Sequence, residues 1–140
     1  MIQFGDGTYK SGVPEYWNGI VDVRDVASAH IKAGYTPKAR GRHILVSGEV
    51  TLFDIATILR RQFGDGYPFP RRQAPKFLFW LIAPLYGYTR KYVSRNVGIR
   101  IKFDNSYSKS DLGIAYIPIE QTVREHFQQI IDDGLLNKTK

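Results

Sequence analysis

Residues 19–33 constrain this chain more than any other stretch, because an apolar strand runs through an aspartate into a compact helix with no loop between them. Ile20, Val21 and Val23 are β-branched, the class favoured on a pleated, half-buried surface, and Asp22 and Arg24 face away from them or flank them. Asp25 falls where the helix should begin. Its carboxylate can accept from the amide of Ala27 or Ser28 and meet the positive end of the helix dipole, and Gly34 supplies a left-handed stop. A strand, cap and helix joined this tightly belong to an α/β sheet.

The rest of the chain supplies few strands to complete that sheet. Residues 1–18 carry three glycines and one proline and read as loop. Residues 43–47 form a second strand around the unbroken apolar run Ile44, Leu45 and Val46, as expected of a strand covered on both faces. Thr51 caps the next helix with Asp54 in a capping-box arrangement. Leu52, Ile55, Ala56 and Leu59 recur at helical spacing, and the helix ends near Phe63 at Gly64. Residues 75–92 read as a helix kinked or interrupted at Pro84. Ile99, Ile101 and Phe103 alternate with Arg100 and Lys102 as a half-exposed strand. A helical turn over 108–112 stops at Gly113. A last helix after Pro118 carries Ile119, Val123, Phe127 and Ile130 or Ile131 on one stripe and ends at Gly134. Two or three strands are too few for a parallel sheet. The expectation is therefore that the chain borrows strands from a partner or belongs to a larger fold.

With 140 residues, 43% of them hydrophobic and 14% aromatic, the chain has enough material for one globular core. It has no cysteine, which rules out disulfides and thiolate metal sites and fits a cytoplasmic location. His30, His43 and His126 are scattered over different elements and make no metal-ligand pattern. Residues 1–10 show neither a basic start nor a hydrophobic block, so a secretion signal is not expected. The longest apolar run, residues 77–88, contains Pro84 and Gly87 and is well short of the roughly 20 residues a spanning helix needs.

The net charge of +7 is unevenly placed: residues 60–102 hold ten basic residues against the single acid Asp65, +9 in all, so the remainder carries −2.

Several motifs in order point to a family. They are Gly19-Ile-Val-Asp-Val-Arg-Asp-Val-Ala-Ser-Ala-His30, Arg40-Gly-Arg-His-Ile44, Tyr67-Pro-Phe-Pro70, and Asp104-Asn-Ser followed by Ser108-Lys-Ser-Asp-Leu-Gly113. Together with the final helix, over roughly residues 13–135, this pattern resembles the carboxy-terminal half of an extended short-chain dehydrogenase/reductase. Within the NAD-dependent epimerase/dehydratase superfamily it is similar to the dihydroflavonol-reductase and cinnamoyl-CoA-reductase group. The resemblance implies an α/β fold, an incomplete Rossmann-type parallel sheet represented by its last strands, with a mainly helical substrate-binding cap. All 140 residues are then one substrate-side segment.

The same resemblance implies an NAD(P)H-dependent parent protein that reduces an aldehyde or ketone, or carries out a related oxidation, epimerisation or dehydration. The family's Gly-x-x-Gly-x-x-Gly turn and Tyr-x-x-x-Lys are absent here: Gly5-Asp-Gly7 lacks the spacing, and Tyr86 with Arg90 and Tyr88 with Tyr92 lack the lysine. Hydride transfer needs a pyrophosphate cradle at a helix start and an acidified phenol to protonate the carbonyl oxygen. The chain alone is therefore expected to bind no cofactor and to be inactive.

What the resemblance carries over is the substrate side, where Tyr16, Trp17, Asp22, Arg24, Trp80 and Tyr86 are candidate pocket or lid residues for a small molecule. The plain alternatives are that Asp25 only caps its helix and that Phe77, Phe79, Trp80 and Tyr86 only pack or meet another subunit. Arg71, Arg72 and Arg90 are candidate anion-binding residues for a phosphate-bearing substrate or coenzyme A thioester.

Basic residues also bracket the apolar 77–88 block, so a non-enzymatic small-ligand module, or one lying flat on an anionic membrane, is the competing reading. Nucleic acid is disfavoured as a partner, because the aromatics cluster with Leu and Ile instead of alternating on an exposed sheet. The strand edges at Gly19 and His43 should be open to a missing amino-terminal half or to a second copy.

Overall fold

A computed structural model describes residues 1–136, which gather into two compact units. In chain order the elements are α1 (Ile2–Gly5), β1 (Val13–Pro14), β2 (Trp17–Ile20), α2 (Val23–Tyr35), β3 (Gly48–Thr51), α3 (Leu52–Phe63) and β4 (Gln73–Ala74). After them come α4 (Lys76–Ile82), a 3-10 turn (Ala83–Tyr86), α5 (Arg90–Asn96), α6 (Ser106–Leu112) and α7 (Ile119–Asp132). The fold is α/β, with helices predominating over two short two-stranded sheets, β1 with β4 and β2 with β3. None of these helices is long and apolar enough to cross a membrane.

The first unit comprises residues 1–18, 50–100 and 123–136. Its β1 and β4 run parallel, Val13 opposite Gln73 and Pro14 opposite Ala74. The expected capping box opens α3: the Thr51 hydroxyl accepts from the Asp54 amide at 3.1 Å, and the Asp54 carboxylate accepts from the Thr51 amide at 2.8 Å. Ile55, Ala56 and Leu59 of α3 are buried, and Gly64 at φ +60° ends the helix as the spacing predicts. Val123, Phe127 and Ile130 of α7 form the buried stripe.

The helix expected over residues 75–92 is divided. Proline 84 forces the chain into a 3-10 turn, Gly87 at φ +79° ends that turn, and Thr89 caps α5 by accepting from the Tyr92 amide at 3.1 Å. Ala83, Val93 and Val97 are fully buried there, with Tyr16 and Phe79 packed against them.

The second unit comprises residues 19–49 and 101–122. Ala29 of α2 packs on Leu112 of α6 and on Ile114, flanked by Ala39, Leu45 and Tyr116.

Several expectations are corrected. Residues 1–18 are not all loop, because they hold α1, β1 and the start of β2. The strand expected over 19–23 lies earlier, at 17–20, and the helix begins at Val23 because Asp22, not Asp25, is its cap. Asp22 is extended (φ −74°, ψ 140°) and accepts from the Arg24 amide at 2.9 Å. Asp25, one turn in, is buried and accepts from the Ile117 amide at 2.9 Å. Gly34 does not stop α2, which continues to Tyr35.

Residues 43–47 are not in a ladder. Their backbone is held by the Asn105 amide, which donates to the Val46 carbonyl at 2.6 Å, and by the Ile20 carbonyl, which accepts from the Ser47 amide at 2.7 Å. Strand pairing resumes only at β3. Residues 99–103 also form no strand: Ile99, Ile101 and Phe103 are exposed, and the Phe103 amide donates to the Glu49 carboxylate.

Candidate functional site

The loop between α3 and β4 is the part of the first unit in which chemistry-bearing side chains converge. After Gly64 turns the chain out of α3, the apolar residues of Tyr67-Pro-Phe-Pro70 fold back inward, so that Tyr67, Phe69 and Pro70 are buried. Phe127 of α7 anchors them, with ring centroids 5.3 Å from both Tyr67 and Phe69 and 5.0 Å from Phe63. The parallel pairing of β1 and β4 brings the chain before Val13 alongside Arg72, whose Nε donates to the Ser11 carbonyl at 3.1 Å.

The result is an open cleft of about 420 Å³ with Tyr67, Pro68 and Phe69 as an apolar wall and Lys10, Arg60, Arg71 and Arg72 as cations, opposed by Asp65. Arg60 donates from Nη1 to the Pro70 carbonyl at 3.3 Å, and Arg71 donates from Nη2 to the Asp65 carboxylate at 2.6 Å. The hydroxyl of Tyr67 is buried and has no hydrogen-bond partner among the described residues.

The residues singled out from the sequence are distributed as follows. Arg71 and Arg72 line the cleft. Arg90 does not; its guanidinium lies 4.7 Å over the Trp80 ring. Tyr16 shares a 3.0 Å hydrogen bond with Tyr92, and that bond raises the Tyr92 phenol above its ordinary value. Trp17 donates from Nε1 to Glu15 at 3.1 Å, with Arg100 5.0 Å over its ring. The side chain of Tyr86 lies outside those described.

In the second unit Asp22 and Arg24 are joined by two bonds of 2.8 Å from Nε and Nη2, and the Thr122 hydroxyl donates to the same carboxylate at 2.9 Å. The Arg24 guanidinium, foremost, and then the Arg24 amide and Thr122 hold the Asp22 carboxyl well below the usual carboxylate range, against the opposing effect of burial. No local sequence signal marks Lys10 or Arg60 as part of a site. The Tyr67-Pro-Phe-Pro70 motif was the one local signal near them.

Gly5 and Gly7 lie at the end of α1 and beyond it instead of ahead of a helix, and carboxylates occupy the first turns of α2, α3 and α7. Among the described residues no group of three metal-ligating side chains assembles. His43 instead bonds Asp111 at 2.6 Å and stacks on Tyr107 at 4.5 Å.

No family model matches the chain. It is 30% identical over 129 residues, 92% of its length, to cinnamoyl-CoA reductase 1 of Petunia hybrida, and 28% identical over 120 residues to the NADPH-dependent methylglyoxal reductase GRE2 of Saccharomyces cerevisiae. It covers 32% and 31% of those proteins, so the chain spans about a third of the length of the curated relatives it matches. Among solved structures, Gre2 from Candida albicans superposes on 95% of the chain with a TM-score of 0.65 at 25% identity. The same protein's NADPH complex superposes on 94% with a TM-score of 0.63 at 26% identity. These relatives are extended short-chain dehydrogenases/reductases of the NAD-dependent epimerase/dehydratase family, and the partial coverage of their length is consistent with the chain being similar to a carboxy-terminal fragment of them.

Proposed function

We propose that this chain forms the substrate side of an NAD(P)H-dependent reductase acting on an aldehyde or ketone and is inactive by itself. The observation that carries the reading is the match, over nine-tenths of the chain, to a relative named as a reductase, together with the fold shared with NADPH-bound Gre2. The substrate-facing groups are drawn from Tyr16, Trp17, Trp80 and Tyr86, with Asp22 and Arg24 fixing the start of α2. NAD(P) belongs to the parent protein, because these 140 residues contain neither the glycine-rich turn nor Tyr-x-x-x-Lys. The short sheets leave open edges at which further strands of such a protein would pair.

The 140-residue chain mixed with NADPH and methylglyoxal is expected to consume no NADPH. A longer polypeptide made in the native cell, carrying this sequence behind a glycine-rich turn and Tyr-x-x-x-Lys, is expected to consume it. Turnover by the short chain, or an upstream coding sequence lacking both motifs, overturns the reading.

A second reading has its own support in the first unit. Phe77, Leu81 and Leu85 are 73%, 57% and 85% exposed, and Lys76, Arg90, Lys91 and Arg95 are exposed around them with no acid between residues 66 and 103. That combination suits an anionic lipid surface, each basic side chain contributing about 1 kcal/mol near it. The chain is expected to co-sediment with vesicles containing phosphatidylserine, and Phe77→Ser with Leu81→Ser to abolish this. Failure to sediment, or sedimentation indifferent to lipid charge, defeats the membrane reading.

A further inference from the structure

We infer that the cleft of residues 64–72 is a binding site for a phosphoryl group, held by Arg60, Arg71, Arg72 and Lys10 and met from the wall by the Tyr67 hydroxyl. The inference rests on the first unit alone and does not depend on the reductase reading.

Charge is the first argument. Four cations face one carboxylate across a cleft of about 420 Å³, so the site carries excess positive charge where only an anion can enter with gain. Asp65 does not cancel it: Arg71 and Asp65 are 71% and 80% exposed, and an ion pair so open to water is weak and easily exchanged for a better anion.

Donor geometry is the second. Arg60 and Arg72 are each tied by one N–H to a backbone carbonyl, of Pro70 and Ser11. Those bonds orient the guanidinium groups and use one of five donors apiece, and planar N–H pairs of this kind match the oxygens of a phosphoryl group.

The third argument is independent of charge. Tyr67 is 5% exposed, yet its hydroxyl finds no partner among the described residues. Buried hydroxyls are nearly always satisfied, and one left over beside a cationic cleft fits an acceptor that arrives with the ligand. Tyr67 is itself one of the residues lining the cleft. The wall of Pro68 and Phe69 adjoins the cations and favours a phosphoryl group borne on an organic molecule over the free ion.

Isothermal titration of the 140-residue chain with inorganic phosphate and with phenyl phosphate tests this. Both are expected to bind, phenyl phosphate about tenfold tighter if the occupant is a phosphomonoester and equally if it is the free ion; either result supports the site. Arg71→Ala with Arg72→Ala should abolish binding. Tyr67→Phe, which removes an unpartnered oxygen and leaves the ring, should keep the fold and weaken binding three- to tenfold. Arg90→Ala with Lys91→Ala, outside the cleft, should leave it unchanged. No heat of binding with either probe overturns the proposal, as does wild-type affinity in Tyr67→Phe or an equal loss in the Arg90 and Lys91 pair.

Discussion

Phe127→Ala is expected to lower the unfolding free energy by about 3–5 kcal/mol, the range for deleting a fully buried phenylalanine side chain. Phe127 has no exposed surface, and its ring meets those of Phe63, Tyr67 and Phe69 at 5.0 to 5.3 Å. The substitution removes the packing of three other rings along with its own burial, and α7 can relax only a little to fill the space because Val123 and Ile130 pin the same stripe. A domain of this size holds about 5–15 kcal/mol in total, so the loss is a large share of it. Urea unfolding should show a lower midpoint at unchanged slope. A loss under about 1 kcal/mol would mean that the aromatic cluster is not a packed core. The same variant should weaken phosphate binding, because Tyr67 and Phe69 take their positions from Phe127.

Asp22→Ala is the second large effect, at about 2–3 kcal/mol, and it has a pH signature that a cavity lacks. The loss combines an N-cap, about 1 kcal/mol, with charge-assisted bonds to a carboxylate that is 4% exposed. The Arg24 side chain is about half exposed, which keeps the ion-pair part of this modest.

Because the folded carboxyl is held below its unfolded value, its contribution is fully present above the ordinary aspartate range near pH 4. It fades as pH falls through the folded value. The wild-type chain should therefore lose stability on acidification below about pH 5, and Asp22→Asn should lose less over the same interval. Parallel acid limbs for the two proteins would show that Asp22 is not held in its charged form by folding.

The elements that could be read in advance are those whose cause lies within a few residues. Thr51 and Asp54 satisfy each other's orphan donors three positions apart, Gly64 and Gly113 take the positive φ at which their helices end, and Val123, Phe127 and Ile130 repeat at the helix period. The misreadings lie where two neighbours could do the same job. Asp22 and Asp25 are both capable caps. The choice fell to Asp22 because Arg24 and Thr122 converge on it, while Asp25 is needed by the Ile117 amide 92 positions away. Residues 43–47 and 99–103 have strand composition but no strand to pair with among the described residues, and composition sets β propensity without supplying the partner.

Legible in the residues alone were the α/β class, the motif order that resembles the short-chain dehydrogenases/reductases, and the concentration of positive charge between residues 60 and 102. Folding settled which of those cations share a cleft. It took Arg71 and Arg72 into it, added Lys10 and Arg60, set Arg90 on Trp80, and left the Tyr67 hydroxyl without a partner among the described residues. Caps and stripes are short-range effects, whereas a cleft is made by the pairing of β1 with β4 and the docking of α7. Those contacts join residues 60 or more positions apart and leave no periodic trace in the chain.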